Sequence, residues 1–333
     1  MKADPSQAHV ARELEHDAPL IVCRFDPAGQ ALYAGAENNT VARWDLASGT
    51  KTVFAGHEGW VFGLAFSPDG STLISSGSDD HLLWWRTDPD QKDAAPLRRV
   101  RAHEGWIRAV AVSPDGLHVA SAGNDRMVRL WSLEDGSPVR ELAGHERDVY
   151  SLTFHPSGRW LLSGDLLGRV LLWNMETGAQ ETGFDAGLLH TFEQGQGVDY
   201  GGVRSLGFSA DATELACAGL HNAPNPLGAI NEPLALRFSW ETRELRRKHV
   251  SDGGVKGVAW RAQYHPDGFL IGCSGGSGGG FLIFWNGEQD GPFHQMSLPN
   301  TARELDLHPG GLLLAVAHYD RRARLVRLAA KEG

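Results

Sequence analysis

Short apolar runs recur along the whole chain, and polar turns interrupt each of them before a helix could extend. Val61 to Phe66, Thr72 to Ser75 and Met127 to Trp131 are representative, and no window of helical period competes with them. Between the runs one turn signature comes back seven times: Phe25-Asp26-Pro27, Phe66-Ser67-Pro68-Asp69-Gly70, Val112-Ser113-Pro114-Asp115-Gly116, Phe154-His155-Pro156-Ser157-Gly158, Phe208-Ser209-Ala210-Asp211, Tyr264-His265-Pro266-Asp267-Gly268 and Leu307-His308-Pro309-Gly310-Gly311. Proline fixes φ at the second turn position, aspartate accepts a local hydrogen bond and glycine supplies positive φ, so each copy predicts a tight hairpin. Successive copies lie forty-odd residues apart, and more than fifty on either side of Ala210. A period of that size with four short strands per unit predicts an all-β fold of repeated blades, each burying its apolar faces against its neighbours.

Further marks recur at fixed places in the unit. Gly56-His57, Ala102-His103 and Gly144-His145 precede inner strands, while Trp44-Asp45, Trp85, Trp131-Ser132, Trp173-Asn174 and Trp285-Asn286 end third strands. In these residues the chain resembles the WD-repeat family. The resemblance implies a seven-bladed β-propeller of four-stranded antiparallel blades. It also implies a buried relay from the third-strand Trp, through a second-strand Ser or Thr, to the loop His and a hairpin Asp. By position the relay residues are His57, Ser75, Asp79 and Trp85 in the second blade and His103, Ser121, Asp125 and Trp131 in the third. Leu167 stands at the Asp position of the fourth blade, and Phe238 and Val326 replace the Trp of the fifth and seventh, so those blades are expected to rely on apolar packing.

The last unit, residues 301–328, has room for three strands. Val10-Ala11-Arg12-Glu13-Leu14-Glu15-His16 parallels Val139-Arg140-Glu141-Leu142-Ala143-Gly144-His145, an outer strand with its following loop, so residues 9–15 or so are expected to supply the missing strand. Pairing the two ends removes an exposed sheet edge. Residues 1–333 then read as one propeller, with insertions at 185–201 and 219–232.

Composition narrows the function classes. A formal charge of −10 argues against nucleic acid and anionic membranes as partners. No apolar run in the first twenty residues is long enough for a signal peptide or a membrane span, and Cys23, Cys217 and Cys273 are too scattered for a disulfide framework or a Cys-x-x-Cys metal site. A cytoplasmic, monomeric ring is the expectation. His16, His57, His103, His145, His155, His265 and His308 all fall at repeating positions, which assigns them structural roles, and Gly272 to Gly280 fits no phosphate-loop pattern. Asn38-Asn39-Thr40 matches a glycosylation acceptor but sits in a hairpin turn. Arg98 to Arg101, Arg243 to Lys248 and Arg321 to Arg327 read as solvated protection of strand edges. No catalytic residue, cofactor or metal is called for, and the expected class is a non-catalytic interaction scaffold or adaptor.

Aligning the residue four places before each turn signature gives Ile21, Phe62, Arg108, Tyr150, Arg204, Trp260 and Arg303, with Trp60, Trp106 and Asp148 two residues before three of them. In the family this position lies near the mouth of the central channel. Trp, Tyr and Arg are over-represented in binding hot spots. The expected partner is a protein or peptide, acidic or phosphorylated, bound on the face that carries the loops into the inner strands, with bidentate bonds from Arg108, Arg204 and Arg303. The insertions, with Gly275 to Gly280, crowd the same face of blades five and six. Three alternatives stand beside this: internal pairing of the arginines with Asp148 and Asp199, a sensor of a small anionic ligand, and a channel-site enzyme.

Overall fold

The computed structural model describes residues 2–88, 95–225, 230–251, 253–276 and 279–331, with the backbone alone for residues 224, 225 and 230. Among them are seven four-stranded antiparallel sheets, one two-stranded hairpin and no α-helix. The sheets are the blades of a closed ring. Blade one runs from Leu20–Phe25 to Lys51–Ala55, blade two from Val61–Phe66 to Arg98–Arg101, and blade three from Ile107–Val112 to Pro138–Ala143. Blade four runs from Val149–Phe154 to Gln180–Asp185, blade five from Ser205–Phe208 to Leu245–Val250, and blade six from Val258–Tyr264 to His294–Leu298. Blade seven contributes Ala302–Leu307, Leu313–His318 and Arg322–Arg327, and its outer strand is His9–Glu15. The recurring turns are the first hairpins of the blades, with Gly70 and Gly116 both at φ 72°.

The apolar cores lie between blades rather than within them. Val22, Tyr33 and Phe54 of blade one, for example, pack with Val61, Leu73 and Trp85 of blade two. Strands buried on both faces explain the continuous apolar runs. The relays join these layers to the loops. Trp85 Nε1 donates to Ser75 Oγ at 2.7 Å, Ser75 meets His57 Nε2 at 2.7 Å, and His57 Nδ1 meets Asp79 at 3.0 Å. In blade three Trp131, Ser121, His103 and Asp125 repeat the chain at 2.9, 2.7 and 2.8 Å. Burial by itself would raise the Asp125 carboxyl, but hydrogen bonds from His103 and Arg129 outweigh it and hold the carboxyl well below the usual range.

Blade four departs from the apolar-packing expectation. Its relay is complete: Trp173 donates to Ser163 at 2.8 Å, Ser163 meets His145 at 2.6 Å, and His145 Nδ1 meets Asp165 at 2.8 Å. Asp165 closes the last strand position instead of the hairpin position held by Leu167. The geometry of blade two explains why this works. Gly77 occupies the matching place, and a Cβ there would lie 2.9 Å from His57 Nδ1, so a side chain at this position aims at the histidine. In blade six the serine position is Gly272, whose missing Cβ leaves room for the Trp285 ring, and Trp285 donates to the Val250 carbonyl at 2.7 Å.

Blade seven uses charge. Arg324, 2% exposed, is held by Asp320 at 3.0 and 2.7 Å and by Glu13 of the closing strand at 2.7 Å. The Arg321 to Arg327 segment is therefore a clasp at this point, not solvated edge protection. Of the insertions, 185–201 folds as a hairpin, His190–Glu193 pairing with Val198–Gly201, and 219–232 falls largely on the long strands Glu214–Asn225 and Ile230–Ser239. Pro226 in that insertion, and Ser277 and Gly278 in the glycine-rich stretch, lie outside the described residues.

Two buried histidines give the ring an acid sensitivity. Burial, with Arg237 and Arg247 nearby, lowers His249 to about 4, and burial with Arg324 lowers His318 to about 4, from 6.5. Groups with depressed pKa values in the folded state bind protons preferentially when unfolded, so their contribution is complete above pH 6.5 and declines as pH falls towards 4. Urea unfolding midpoints should be flat above pH 7 and fall between pH 6.5 and 4, and His249→Leu should reduce that slope; an unchanged slope in the variant would assign it elsewhere.

Candidate functional site

The seven aligned positions meet at the centre of the ring, and the cause is a repeated irregularity of the backbone. In blades one, two, three, four, six and seven the inner ladder skips one residue near its start, and the residue skipped is Ile21, Phe62, Arg108, Tyr150, Trp260 or Arg303. Arg204 immediately precedes the inner strand of blade five. A bulged residue is released from strand pairing and can be re-aimed. All seven line one cavity of about 300 Å³. Trp60, Trp106 and Asp148 lie on the same face, because their carbonyls accept Ser78, Asn124 and Leu166 N–H groups from the second hairpins. Trp60 is 43% exposed and Trp106 40%, and Trp60 joins the cavity lining.

The side chains form a continuous stack through blades two to six. Phe62 and Trp106 stack with centroids 5.5 Å apart, and the Arg108 guanidinium sits 4.5 Å from the Trp106 centroid and 5.6 Å from that of Tyr150. Arg204 lies 4.0 Å from the Tyr150 centroid and 5.5 Å from that of Trp260. Cation–π contacts of this kind stabilise by roughly 0.5–2 kcal/mol and hold the guanidinium by its face.

The three arginines differ in their partners. Arg303 is paired with Glu37 at 2.6 Å and packs on Tyr319. Arg108 Nε donates to the neutral Asn124 oxygen at 2.9 Å, and among the described residues the buried Arg204 Nε has no hydrogen-bond partner. Among the described residues neither Arg108 nor Arg204 has a carboxylate in ion-pair range. Burial lowers both guanidinium groups, and Arg204 lowers Arg108 further. Pairing with Asp148 and Asp199 is not what the structure shows: Asp199 binds His190 at 2.8 Å and Arg147 at 3.3 Å, and among the described residues Asp148 forms no ion pair, its carboxyl being raised mainly by burial.

Arg24, Arg261 and Glu304 also line the cavity, although the alignment of inner-strand starts leaves them out. One bulged residue resets the alternation of faces, so counting by twos from Ile21 misses Arg24. The available signal is an Arg inside the otherwise apolar strand Leu20–Phe25. Glu304 bridges Arg24 at 3.3 Å and Arg261 at 3.6 Å, so this side of the cavity is largely neutralised. Among the described residues no group of three His, Cys, Asp or Glu side chains could hold a metal, and no helix is long and apolar enough to cross a membrane.

Seven four-stranded blades around a channel, three of them tied by a Trp–Ser–His–Asp relay, define a β-propeller of the WD-repeat type. The chain belongs to the WD-repeat family: the pattern of the WD domain, G-beta repeat, matches residues 49–86, 94–132 and 136–174. It is similar to Ribosome assembly protein 4 of Chaetomium thermophilum, 43% identical over 60 residues, which are 17% of this chain and 12% of that protein. It is also similar to Transducin-like enhancer protein 2 of Mus musculus, 30% identical over 126 residues, covering 37% and 16%. Apoptotic protease-activating factor 1 of Homo sapiens is 30% identical over 83 residues, 25% of this chain and 7% of that one. The matched stretches thus span a small part of each relative.

Proposed function

We propose that the chain is a non-catalytic interaction platform that takes an acidic segment of a protein partner at the channel mouth. The observation that carries this reading is the pair Arg108 and Arg204, half-buried, stacked on Tyr150 and, among the described residues, free of any carboxylate in ion-pair range. Two cations held together without an anion are costly, and an incoming carboxylate or phosphate relieves that cost. Trp60 and Trp106 add exposed apolar area beside them, which suits the apolar flanks of a peptide. That a fungal relative carries the name of an assembly protein fits a platform of this kind.

The test is fluorescence anisotropy with labelled degenerate peptides rich in Glu and Asp, on the full chain and on the Arg204→Gln, Arg303→Gln double variant. Binding should weaken at least tenfold while the melting temperature stays within a few degrees, because among the described residues Arg204 has no ion pair and Arg303 has a single, part-buried one at the channel mouth. Intact binding with a marked loss of stability would mean that these arginines serve the fold instead.

A further inference from the structure

The channel is electrically lopsided. Five guanidinium groups line one cavity: Arg24, Arg108, Arg204, Arg261 and Arg303. On the side of blades six, seven and one, Glu304 serves Arg24 and Arg261, Asp306 stands close enough to influence both, and Glu37 takes Arg303. On the side of blades three to five no carboxylate among the described residues pairs with the cavity's arginines. Arg108 and Arg204 both lie against the Tyr150 ring, Arg204 disfavours the charge on Arg108, and Asp148 acts on Arg108 only through space.

Stacking takes up the face of a guanidinium and leaves its edge, with its fork of N–H donors, for a ligand. Asn124 already holds Arg108 by Nε, while Arg204 Nε is unused. The unmatched charge is therefore about two positive units, presented as two forks over one aromatic ring. A carboxylate brings one negative charge and two oxygens. A phosphomonoester brings about −1.5 to −2 near pH 7 and three oxygens, and so matches both the charge and the donors.

We propose that Arg108 and Arg204 form a seat selective for a phosphomonoester over a carboxylate. This rests on the reading of the channel mouth as a binding surface, and it names the group that surface prefers. The cavity, about 300 Å³, admits one phosphorylated side chain with part of its flanks, and Trp60, Phe62 and Trp260 wall it. Arg303 plays a lesser part, because Glu37 must be displaced before it can turn to the ligand.

Anisotropy on the full chain with three degenerate peptide libraries, fixed at the centre on phosphoserine, glutamate or serine, tests the seat. The phosphoserine library should bind at least tenfold more tightly than the glutamate library; Arg204→Gln and Arg108→Gln should abolish that preference, and Arg303→Gln should keep it. Equal binding of phosphoserine and glutamate, or a preference that survives Arg204→Gln, overturns the seat while leaving the acidic-partner reading in place. Binding of none of the libraries overturns both. Free O-phosphoserine and inorganic phosphate identify the source: affinities far below that of the library assign the seat to a phosphorylated chain, and equal affinities assign it to a small phosphate-bearing molecule. Where free phosphate binds as tightly as the library, thermal melting in saturating phosphate should shift upward for the natural chain and not for Arg204→Gln.

Discussion

Asp165→Ala should lower the unfolding free energy by about 3–5 kcal/mol, the cost usual for removing one member of a buried, hydrogen-bonded pair. The carboxylate is fully buried with its two oxygens in use: one meets His145 Nδ1 at 2.8 Å, and the other accepts the Leu167 and Arg169 N–H groups at 2.9 and 3.0 Å. Alanine leaves the buried imidazole and two part-buried backbone donors without their partner, a further cost that is largest for the imidazole. The second half of the test is a transfer of the acid. In blades two and three a glycine, Gly77 or Gly123, stands at the matching position, and the acid comes from the hairpin, Asp79 or Asp125. Asp165→Gly combined with Leu167→Asp rebuilds that arrangement in blade four and should recover most of the loss. Chemical unfolding of the three proteins measures both effects. A loss under 1 kcal/mol, or no recovery in the double variant, would show that the relay does not act as the connected unit described.

That exchange also shows what was legible beforehand and what was not. Pro-Asp-Gly turns, the period and the Trp positions are local chemistry, and they suffice for seven blades and for the relays of His57 and His103. Asp165 is invisible to a position-by-position comparison, because two places in the blade, the strand end and the hairpin, can deliver a carboxylate to the same imidazole. Gly272 and Trp285 are hidden similarly: the serine is lost, the indole tips into the space, and a backbone carbonyl replaces the hydroxyl. The channel ring was reachable because its residues keep a constant offset from the turns. Its inner members were not, since the bulges that aim the ring also reset which face Arg24 and Arg261 occupy. The partners of each arginine depend on loops distant in sequence, as with Glu37 and Arg303, 266 positions apart.

Removal of residues 1–17 should abolish cooperative unfolding and bring aggregation at micromolar concentration. The closing strand runs His9–Glu15 against Arg322–Arg327, and without it the Arg322–Arg327 ladder becomes an open edge, a template for pairing between molecules. The side chains make the loss larger than one row of hydrogen bonds. Leu14 joins the core of blade one and its neighbour, Val10 packs against that of blade seven, and the His16 N–H donates to the Arg321 carbonyl at 2.9 Å. Most of all, Glu13 holds Arg324 at 2.7 Å and Glu15 holds Arg322 at 2.9 Å, so truncation strands a buried guanidinium on half its partners. Glu13→Gln isolates that last effect, and it should cost about 1–3 kcal/mol without opening the edge. Circular dichroism in a urea series, with light scattering, follows both proteins. Adding a synthetic peptide of residues 1–17 to the truncated chain should restore a single transition, since the strand it replaces makes its pairs with Arg322–Arg327 alone. A truncated chain that melts at the same temperature and with the same urea dependence as the whole would mean that the ring closes by some other contact.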